Sequence, residues 1–283
     1  MILIADSGST KTDWRLIDRE GNIHQAQTIG LNPYFVSDDQ FLQTLRVGPL
    51  KLFTAAEVRE VYFYGSGLGS ARLVDQVKRL LAEVYRLATI HVEHDLLGAA
   101  RALCGSQPGI AAILGTGMNT CAYDGEFITK NIPSLGFILG DEGSGTDLGR
   151  RWVQAFLLGE APDDLIKDFY EGYGADKEII LDRVYKGERP NRFLASFVPF
   201  VRKHLGDPFM LNLVKGAFAE FFDRYVVRYE QHKEWPLHIS GSIGFHFHHI
   251  LQLQAEERDI PFGSVLQKPI AALTLYHLQR YED

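Results

Sequence analysis

The sequence predicts an α/β protein with two lobes, on three observations. The chain has 283 residues, which is long for one hydrophobic core and sufficient for two domains of ordinary size. Short runs of branched apolar residues typical of strands alternate with longer stretches of helical periodicity. A pattern of strand, glycine loop and strand occurs twice, in "IADSGSTKTDWRLID" and in "AILGTGMNTCAYDGE", and this suggests an internal duplication.

The first lobe is expected to span residues 1–107. Its first three strands, "MILIAD", "TDWRLID" and "IHQAQTIG", form a β-meander, with turn residues in "DREGN" between the second and the third. The pattern then predicts a helix in "SDDQFLQTLRVGPL", a strand in "EVYFYGSG", a helix in "SARLVDQVKRLLAEVYR", a strand over 89–92 and a helix that begins at Asp95. The loop "GSQPG" marks the boundary of this lobe.

The second lobe is expected to span residues 108–268. It starts with a strand from Ile110 to Leu114, a glycine loop and the strand-like "TCAYDG". Helical stretches between Asp163 and Tyr229 form an insertion, and "FDRYVVRYEQHKEW" is read as part of a long helix. A strand in "PLHIS" and a glycine-rich loop over residues 241–244 precede a helix from Phe245 towards Gln254.

Composition excludes several classes of function. The formal net charge is -7 and no basic tract is present, which argues against nucleic acid or an anionic membrane as the main partner. The two cysteines, Cys104 and Cys121, form no CxxC pair, so neither a disulfide framework nor a cysteine metal site is indicated. Because "MILIA" is too short for a signal-peptide core and no apolar run is long enough to span a membrane, we expect a cytoplasmic protein.

The loop after the first strand has the residue types of a phosphate site. Gly8 lets a ligand approach the backbone, and Ser9 and Thr10 can donate hydrogen bonds to phosphate oxygens. Asp6, at the end of the strand, can hold Mg²⁺ through water. A Walker A loop does not fit, because that motif needs glycine before the lysine and a helix afterwards, whereas Thr10 precedes Lys11 here and a strand follows. A hairpin turn without a ligand remains the alternative.

Two later loops repeat this design. Gly115, Thr116 and Gly117 follow a buried strand and form a second candidate phosphate loop. The stretch from Gly241 to Gly244 lies between a strand and a helix, where glycine permits close approach of a flat ring. Each loop by itself is equally consistent with a tight turn. The prediction that the loops bind a ligand therefore rests on the order of the three loops along the chain.

Two acidic segments supply candidate catalytic and binding groups. Asp95 lies where a strand passes into a helix, so it is either a catalytic carboxylate or the N-cap of that helix. Asp141 and Glu142 lie between glycines in "GDEGSG" and can accept hydrogen bonds from ligand hydroxyls; the alternative is that they cap a helix starting near Ser144. Paired acids also occur in glycoside hydrolases, but the phosphate loops argue against hydrolysis.

The histidine group in "GFHFHHIL" is a weaker candidate. Histidine clusters can bind metals, yet no acidic or cysteine partner stands near His246, His248 and His249. We therefore interpret them as ordinary helix residues.

These motifs together resemble the actin-like ATPase and sugar-kinase superfamily. "DSGSTKTD" is similar to its first phosphate motif, "LGTGMN" to its second and "ISGSIG" to its adenosine motif. The position of "GDEGSG" indicates the N-acetylglucosamine kinase and BadF/BadG/BcrA/BcrD ATPase family within it. The resemblance implies two actin-like (ribonuclease H-like) domains with mixed five-stranded sheets, an interdomain cleft for ATP and substrate, and a C-terminal helix over 269–283 that packs back on the first lobe.

The resemblance also assigns roles to individual residues. It implies an ATP-dependent kinase for an amino sugar, most similar to N-acetylglucosamine kinases, that uses Mg²⁺ and acts on a small-molecule sugar; it allows a homodimer. Asp95 would be the catalytic base and Asp6 the metal-binding residue. The ATP phosphates would be bound by Gly8, Ser9, Thr10, Lys11, Gly115, Thr116 and Gly117, the adenosine by Gly241, Ser242 and Gly244, and the sugar by Asn32, Asn119, Asp141 and Gly145.

Two departures from the family pattern concern the sugar side. Many members carry a glycine-tryptophan stretch where this chain has the residues 133–136, "PSLG", and Met118 stands where a smaller polar residue is common. The resemblance therefore implies the reaction type and leaves the particular sugar open.

Two other functions remain open on the sequence. One is a BadF-type ATPase that activates a partner redox enzyme, which requires cysteines around an iron-sulfur cluster; Cys104 and Cys121 lack the expected neighbours. The other is a nucleotide-gated sensor that has lost phosphoryl transfer, and the presence of Asp95 argues against it.

Overall fold

The computed structural model describes residues 1–47, 50, 53, 55–174 and 176–282. Two compact units divide the chain: the first contains Met1–Ser106, Gly125–Phe127 and Lys268–Asp283, and the second contains Gln107–Asp124 and Ile128–Gln267. Each unit contains one five-stranded mixed sheet, so the predicted α/β class with two such sheets is confirmed.

The strands of the described residues are β1 (Ile2–Ser7), β2 (Lys11–Ile17), β3 (Ile23–Ile29), β4 (Glu60–Gly65), β5 (Thr89–His94), β6 (Gly109–Leu114), β7 (Met118–Tyr123), β8 (Ile128–Ile132), β9 (Leu237–Ser240) and β10 (Phe262–Leu266). The helices are α1 (Asp38–Arg46), α2 (Ala71–Val84), α3 (Asp95–Cys104), α4 (Gly136–Leu139), α5 (Gly145–Leu158), α6 (Asp163–Tyr173), α7 (Lys177–Tyr185), α8 (Pro190–Ala195), α9 (Val198–Lys203), α10 (Pro208–Arg224), α11 (Ser242–His246), α12 (His248–Glu256) and α13 (Ile270–Glu282). No described helix is long and apolar enough to cross a membrane.

The two sheets share one topology. In the first, the order is β3-β2-β1-β4-β5, with β1, β2 and β3 antiparallel and with β4 and β5 parallel to β1. In the second, the order β8-β7-β6-β9-β10 repeats the same sequence of antiparallel and parallel neighbours. This correspondence supports the internal duplication suggested by the two glycine hairpins.

Both faces of β1, the central strand of the first sheet, are buried. Leu3, Ala5 and Trp14 point to the core that contains the buried residues of α1 and α2. Ile2 and Ile4, on the opposite face of β1, pack in a second cluster that includes Ile270 and Leu273 of α13. Because side chains alternate along a strand, β1 contributes to both layers, and its residues 2–5 are accordingly all apolar.

The second unit carries the helical insertion between β8 and β9. Its core is rich in aromatic side chains: Trp152 of α5 packs edge-on against Phe169 of α6 at 5.3 Å between ring centroids and lies 4.8 Å from Phe200 of α9. Edge-to-face pairs of this kind add to the energy of burial. The insertion therefore has its own packed core joined to the sheet.

The predicted long helix in "FDRYVVRYEQHKEW" is wrong beyond Arg224. There α10 ends, a short 3-10 turn covers Val226–Arg228 and no helix follows up to β9. Two tyrosines tie this segment to other elements: the Tyr225 hydroxyl donates to Glu142 at 2.6 Å, and the Tyr229 hydroxyl lies 2.8 Å from that of Thr120 on β7. These tertiary bonds, together with the low helix propensity of two adjacent valines, explain the end of the helix. The stretch from Phe245 to Gln254 is also divided, into α11 and α12, at the buried Phe247.

Candidate active site

The predicted phosphate loop of the first unit is a fixed turn between β1 and β2. The Gly8 N–H donates to the Lys11 carbonyl at 3.0 Å and closes the turn. At its base the hydroxyls of Ser7 and Thr12 are 2.8 Å apart, and that of Thr12 donates to the Ile29 carbonyl at 3.0 Å. The turn is thus held by β3 as well as by its own strands.

Asn32 lies against the same turn. Its Nδ2 donates to Ser9 Oγ at 2.9 Å and to Ser66 Oγ at 3.3 Å, and its Oδ1 accepts from the Tyr34 N–H at 3.0 Å. Asn32 is buried. The structure therefore brings this candidate sugar-binding residue to the phosphate turn, where its amide joins the loop to the end of β4.

Gly30 is a supporting residue that the sequence interpretation missed. A Cβ atom at this position would lie 2.3 Å from the Gly8 carbonyl oxygen and 2.4 Å from the Ser9 carbonyl carbon. Such distances are impossible for a real side chain, so only glycine fits beneath the turn. The signal in the sequence was the glycine at the end of the third predicted strand.

Asp6 belongs to an acidic group at the end of the first sheet. Asp6 and Asp13 are cross-strand neighbours on β1 and β2. Burial first, and then the nearby charges of Asp95 and Asp13, raise the pKa of Asp6 to about 7, while Lys11 and Lys268 act against the shift. A buried carboxyl with this environment is a site where a cation would restore the ionised form.

Lys268, another residue absent from the sequence prediction, comes from the segment before α13. Its Nζ lies 3.6 Å from Asp13 Oδ2, and Lys11 Nζ lies 3.7 Å from the same oxygen. Gln27 completes the surroundings of this carboxylate by donating to Oδ1 at 2.7 Å. Burial first, and then the nearby Lys268 with its positive charge, lower the pKa of Lys11.

The donor set suits Mg²⁺ bound through water and not a metal held by a cage of side chains. Within the described residues, no group of three or more His, Cys, Asp or Glu side chains could hold a metal ion. Mg²⁺ in phosphoryl-transfer sites is bound by one or two carboxylates, water and the substrate phosphates. Asp6 fits this arrangement. Near the histidine group, His246 Nδ1 accepts from Arg202 at 2.8 Å, a contact with a cation that does not suit a metal ligand.

Asp6→Asn is expected to raise the unfolding temperature of the metal-free protein at about pH 8 and to change it little at about pH 4. The folded-state pKa of about 7 exceeds the ordinary 3.8, so the folded state binds more protons between these values. The contribution of Asp6 to the free energy of unfolding is therefore fully present below pH 3.8, and it is lost as the pH rises through about 7. Calorimetry in the presence of a chelator measures the effect, with Asp75→Asn on the exposed face of α2 as control. Equal shifts at both pH values would contradict the assignment.

Asp95 is the first residue of α3, but it does not cap the helix. The N-cap is His94, whose Nδ1 accepts from the Leu96 N–H at 3.1 Å. The capping alternative for Asp95 is therefore wrong. Its carboxylate is 23% exposed, with Oδ1 at 2.8 Å from His94 Nδ1, and is not used by the backbone of its own helix.

The second glycine loop rests on the start of α5. The Gly115 N–H donates to the Gly117 carbonyl at 3.0 Å, while the N–H groups of Gly145 and Thr146 donate to the carbonyls of Gly115 and Thr116 at 2.8 and 3.0 Å. Gly145, a candidate sugar-binding residue, is buried beneath the loop and supports it. A Cβ at Gly115 would meet no atom within 4 Å, so this side of the loop is open.

Asp141 adopts a left-handed backbone conformation, with φ of 61°, which is uncommon for a residue other than glycine. Its Oδ1 accepts from Ser134 Oγ at 2.6 Å and from the Met118 N–H at 3.4 Å. Burial raises the pKa of Asp141 despite these two bonds, and the charges of Glu142 and Asp147 add to the increase. Ser134, which belongs to the stretch that departs from the family pattern, is thus a positioning partner that the sequence interpretation did not identify.

The capping alternative for the "GDEGSG" acids is wrong. Ser144 caps α5 by accepting from the Asp147 N–H at 3.2 Å. Glu142 instead accepts from Tyr225 at 2.6 Å and pairs with Arg224 at 3.0 Å. Neither Asp141 nor Glu142 therefore caps α5.

The remaining candidates lie around the second sheet. Asn119 Oδ1 accepts from the Thr120 N–H and from Asn131, both at 3.0 Å. Gly241, with φ of 111°, precedes α11, and a Cβ there would lie 2.3 Å from the Leu114 carbonyl oxygen, next to the second glycine loop. Ser242 is exposed, whereas Gly244 is buried against Ile239. Gly241 is therefore next to the loop, whereas Gly244 packs against β9.

The structure is similar over its whole length to that of a protein from Porphyromonas gingivalis described as a "Putative N-acetylglucosamine Kinase". The TM-score is 0.94 and the sequences are 42% identical, covering 99% of this chain and 100% of the other. This chain belongs to the N-acetylglucosamine kinase family of actin-like sugar kinases.

More distant structures share the fold of this kinase family. A second protein described as a "Putative N-acetylglucosamine Kinase", from Chromobacterium violaceum, has a TM-score of 0.72 and 22% identity, covering 97% of this chain and 98% of its own. A ROK family glucokinase from Streptomyces griseus, solved with glucose and AMPPNP, has a TM-score of 0.57 and 15% identity, covering 100% and 99%. Comparisons with family models and with curated proteins find no match.

Proposed function

We propose that the protein is an ATP-dependent kinase that phosphorylates a hydroxyl of N-acetylglucosamine or a closely related amino sugar. The observation that carries the proposal is the position of Asp95 relative to the first glycine turn. Ser7 pairs with Gly65, and Gly65 pairs with His94, so β1 and β5 end at the same level of the sheet. Gly8 directly follows β1 and Asp95 directly follows β5. The Asp95 carboxylate is therefore at the same end of the strands as the proposed phosphate turn.

Phosphoryl transfer requires mainly positioning, charge stabilisation and a group that accepts the hydroxyl proton. In our proposal the turn from Gly8 to Lys11 and the loop from Gly115 to Gly117 bind the phosphates of ATP through N–H groups and hydroxyls. Asp6 holds Mg²⁺, which supplies positive charge to the phosphates. Gly241 and Ser242 contact the adenosine, and Asp95 accepts the proton of the sugar hydroxyl.

For the sugar we propose Asp141 as the main hydrogen-bond acceptor of the second unit. Its Oδ1 is held by Ser134, and a Cβ at Gly117 would come within 2.9 Å of its Oδ2, so the carboxylate lies directly beside the phosphate loop. This proximity supports a substrate hydroxyl near the transferred phosphate. Asn119 and Asn32 complete the proposed sugar contacts.

The proposal also covers the partner, the location and the alternative ATPase function. The family supports a small-molecule sugar as the partner, and ATP as the donor implies a cytoplasmic location. Both Cys104 and Cys121 are buried, which does not favour an ATPase with an iron-sulfur cluster exposed to a partner enzyme.

The test is coupled ADP release with Mg-ATP and a panel of hexoses, hexosamines and N-acetylhexosamines. We expect N-acetylglucosamine or a near relative to stimulate turnover at least about tenfold over the sugar-free rate. A bound sugar excludes water and presents its own hydroxyl to the γ-phosphate of ATP. Mass spectrometry of the product identifies the phosphorylated sugar. Equal ADP release with and without every sugar would contradict the kinase and support an ATPase.

A further inference from the structure

The imidazole of His94 lies between the start of α3 and the candidate base. Its Nδ1 is 2.8 Å from Asp95 Oδ1 and 3.1 Å from the backbone nitrogen of Leu96. One ring nitrogen has one hydrogen-bonding position: protonated it donates, and unprotonated it accepts. The two contacts are therefore alternatives, a helix cap in one state and a hydrogen bond to the carboxylate in the other.

The surroundings favour the state in which Nδ1 donates to Asp95. Burial lowers the pKa of His94, but the hydrogen bond and the negative charge of Asp95 outweigh it, and the pKa is raised above its ordinary value. The side chains of His94 and Asp95 are 34% and 23% exposed, so the pair is only partly screened by water.

The backbone that carries the His94 ring is held within a sheet. His94 is the last residue of β5 and pairs with Gly65 on β4, within the sheet of the first unit. A carboxylate with one oxygen held by a fixed donor has a defined orientation, and its second oxygen then points in one direction. Such a constraint matters because small displacements of a reacting group cost large factors in rate.

We propose that His94 is a positioning residue for phosphoryl transfer: its Nδ1–H holds Asp95 Oδ1 and thereby directs Oδ2 to the acceptor hydroxyl. In the step, the sugar oxygen forms its bond to the γ-phosphorus, the bond from that phosphorus to the ADP oxygen breaks, and the hydroxyl proton moves to Asp95. His94 keeps its own proton throughout. This inference rests on the proposed function.

The first test needs no catalysis. The full chain labelled with ¹⁵N at histidine is titrated by NMR as wild type and as Asp95→Asn, with His94→Asn used to assign the His94 signal. We expect the pKa of His94 to be lower in Asp95→Asn than in the wild type, because the carboxylate that stabilises the protonated ring is gone. Identical titration in the two proteins would overturn the proposal.

The second test compares isosteric replacements. Both Asn and Asp are good N-caps, so His94→Asn and His94→Asp should preserve the start of α3, but only Asn retains a donor for Asp95. We expect His94→Asn to keep kcat within about fivefold and His94→Asp to lower it by about 10- to 100-fold, with KM values little changed. His94→Asp should also move the acid limb of the kcat profile to higher pH, because two adjacent carboxylates repel each other and hold a proton more readily than one. The alanine side chain of His94→Ala can neither cap α3 nor donate to Asp95. Its kcat should therefore be as low as that of His94→Asp.

The outcomes separate this inference from the proposed function. If the wild type shows no sugar-stimulated turnover, the kinase function fails and the positioning role fails with it. If the wild type is a sugar kinase but His94→Ala and His94→Asp keep the wild-type kcat and pH profile, the role of His94 alone is overturned. Equal losses in His94→Asn and His94→Asp with parallel decreases in unfolding temperature would also overturn it, since a cap for α3 would then explain everything.

Discussion

Asp95→Asn is expected to lower kcat for sugar-stimulated ADP release by about 10² to 10⁴, the contribution typical of a general base. The amide has nearly the same shape as the carboxylate but cannot accept the hydroxyl proton at neutral pH. The substitution also removes the charge that, after burial, contributes most to the raised pKa of Asp6. Because Asp95 is proposed to contact the acceptor hydroxyl and not ATP, we expect KM for Mg-ATP to stay within about threefold while kcat falls.

The control for this experiment is Asp75→Asn, which removes an exposed carboxylate from α2 of the same unit. It should retain wild-type kinetics. Circular dichroism of both variants should match the wild type, because neither side chain belongs to the hydrophobic core. A kcat of Asp95→Asn within tenfold of the wild type would rule out Asp95 as the base.

Gly30→Ala should lower the free energy of unfolding by about 1 to 3 kcal/mol, the usual cost of excess volume in a packed site. The added carbon would meet the carbonyl groups of Gly8 and Ser9, at 2.3 to 2.6 Å. All three clashing atoms are backbone, so no side-chain rotation relieves them and the phosphate turn must move. Because the turn is proposed to bind ATP, we also expect kcat/KM for Mg-ATP to fall at least about tenfold.

Gly69→Ala is the matched control, since a Cβ there has no atom within 4 Å. It should leave both stability and kinetics unchanged. Chemical denaturation and ATP titrations of the two variants measure the difference. A Gly30→Ala protein with wild-type stability and wild-type kinetics would show that the turn is not packed against Gly30 in solution.

The parts of the fold with local signals could be predicted from the sequence. The central strands β1 and β6 are continuous apolar runs that end at glycine loops, and α2 has a clear apolar stripe at helical spacing. The edge strands β8 and β10 were not predicted, because an edge strand such as "ITKNI" is largely exposed and lacks an apolar pattern. The helix after Arg224 was overpredicted, since its end depends on tyrosine contacts with distant residues.

The same division applies to the candidate site. Glycine loops and isolated acids are visible as residue types, so Gly8, Gly115 and Asp95 could be found without a structure. Their supporting partners could not, because the contacts connect positions far apart in the chain. Lys268 reaches Asp13 across some 255 residues of sequence, and nothing in the local pattern around either residue indicates the pair. His94 was adjacent to Asp95, but its role depends on which ring nitrogen faces the carboxylate.

The packing of α13 on β1 has a consequence for how the protein is made. Ile270 and Leu273 cover the face of Ile2 and Ile4, and Lys268 stands beside Asp13, so residues from the end of the sequence complete the unit that its beginning starts. On the ribosome, residues 107–267 emerge before this covering helix, and the second unit can fold while β1 still has one open apolar face. The acidic pair of Asp6 and Asp13 is therefore expected to receive its second lysine only near the end of translation, after both glycine loops have been synthesised.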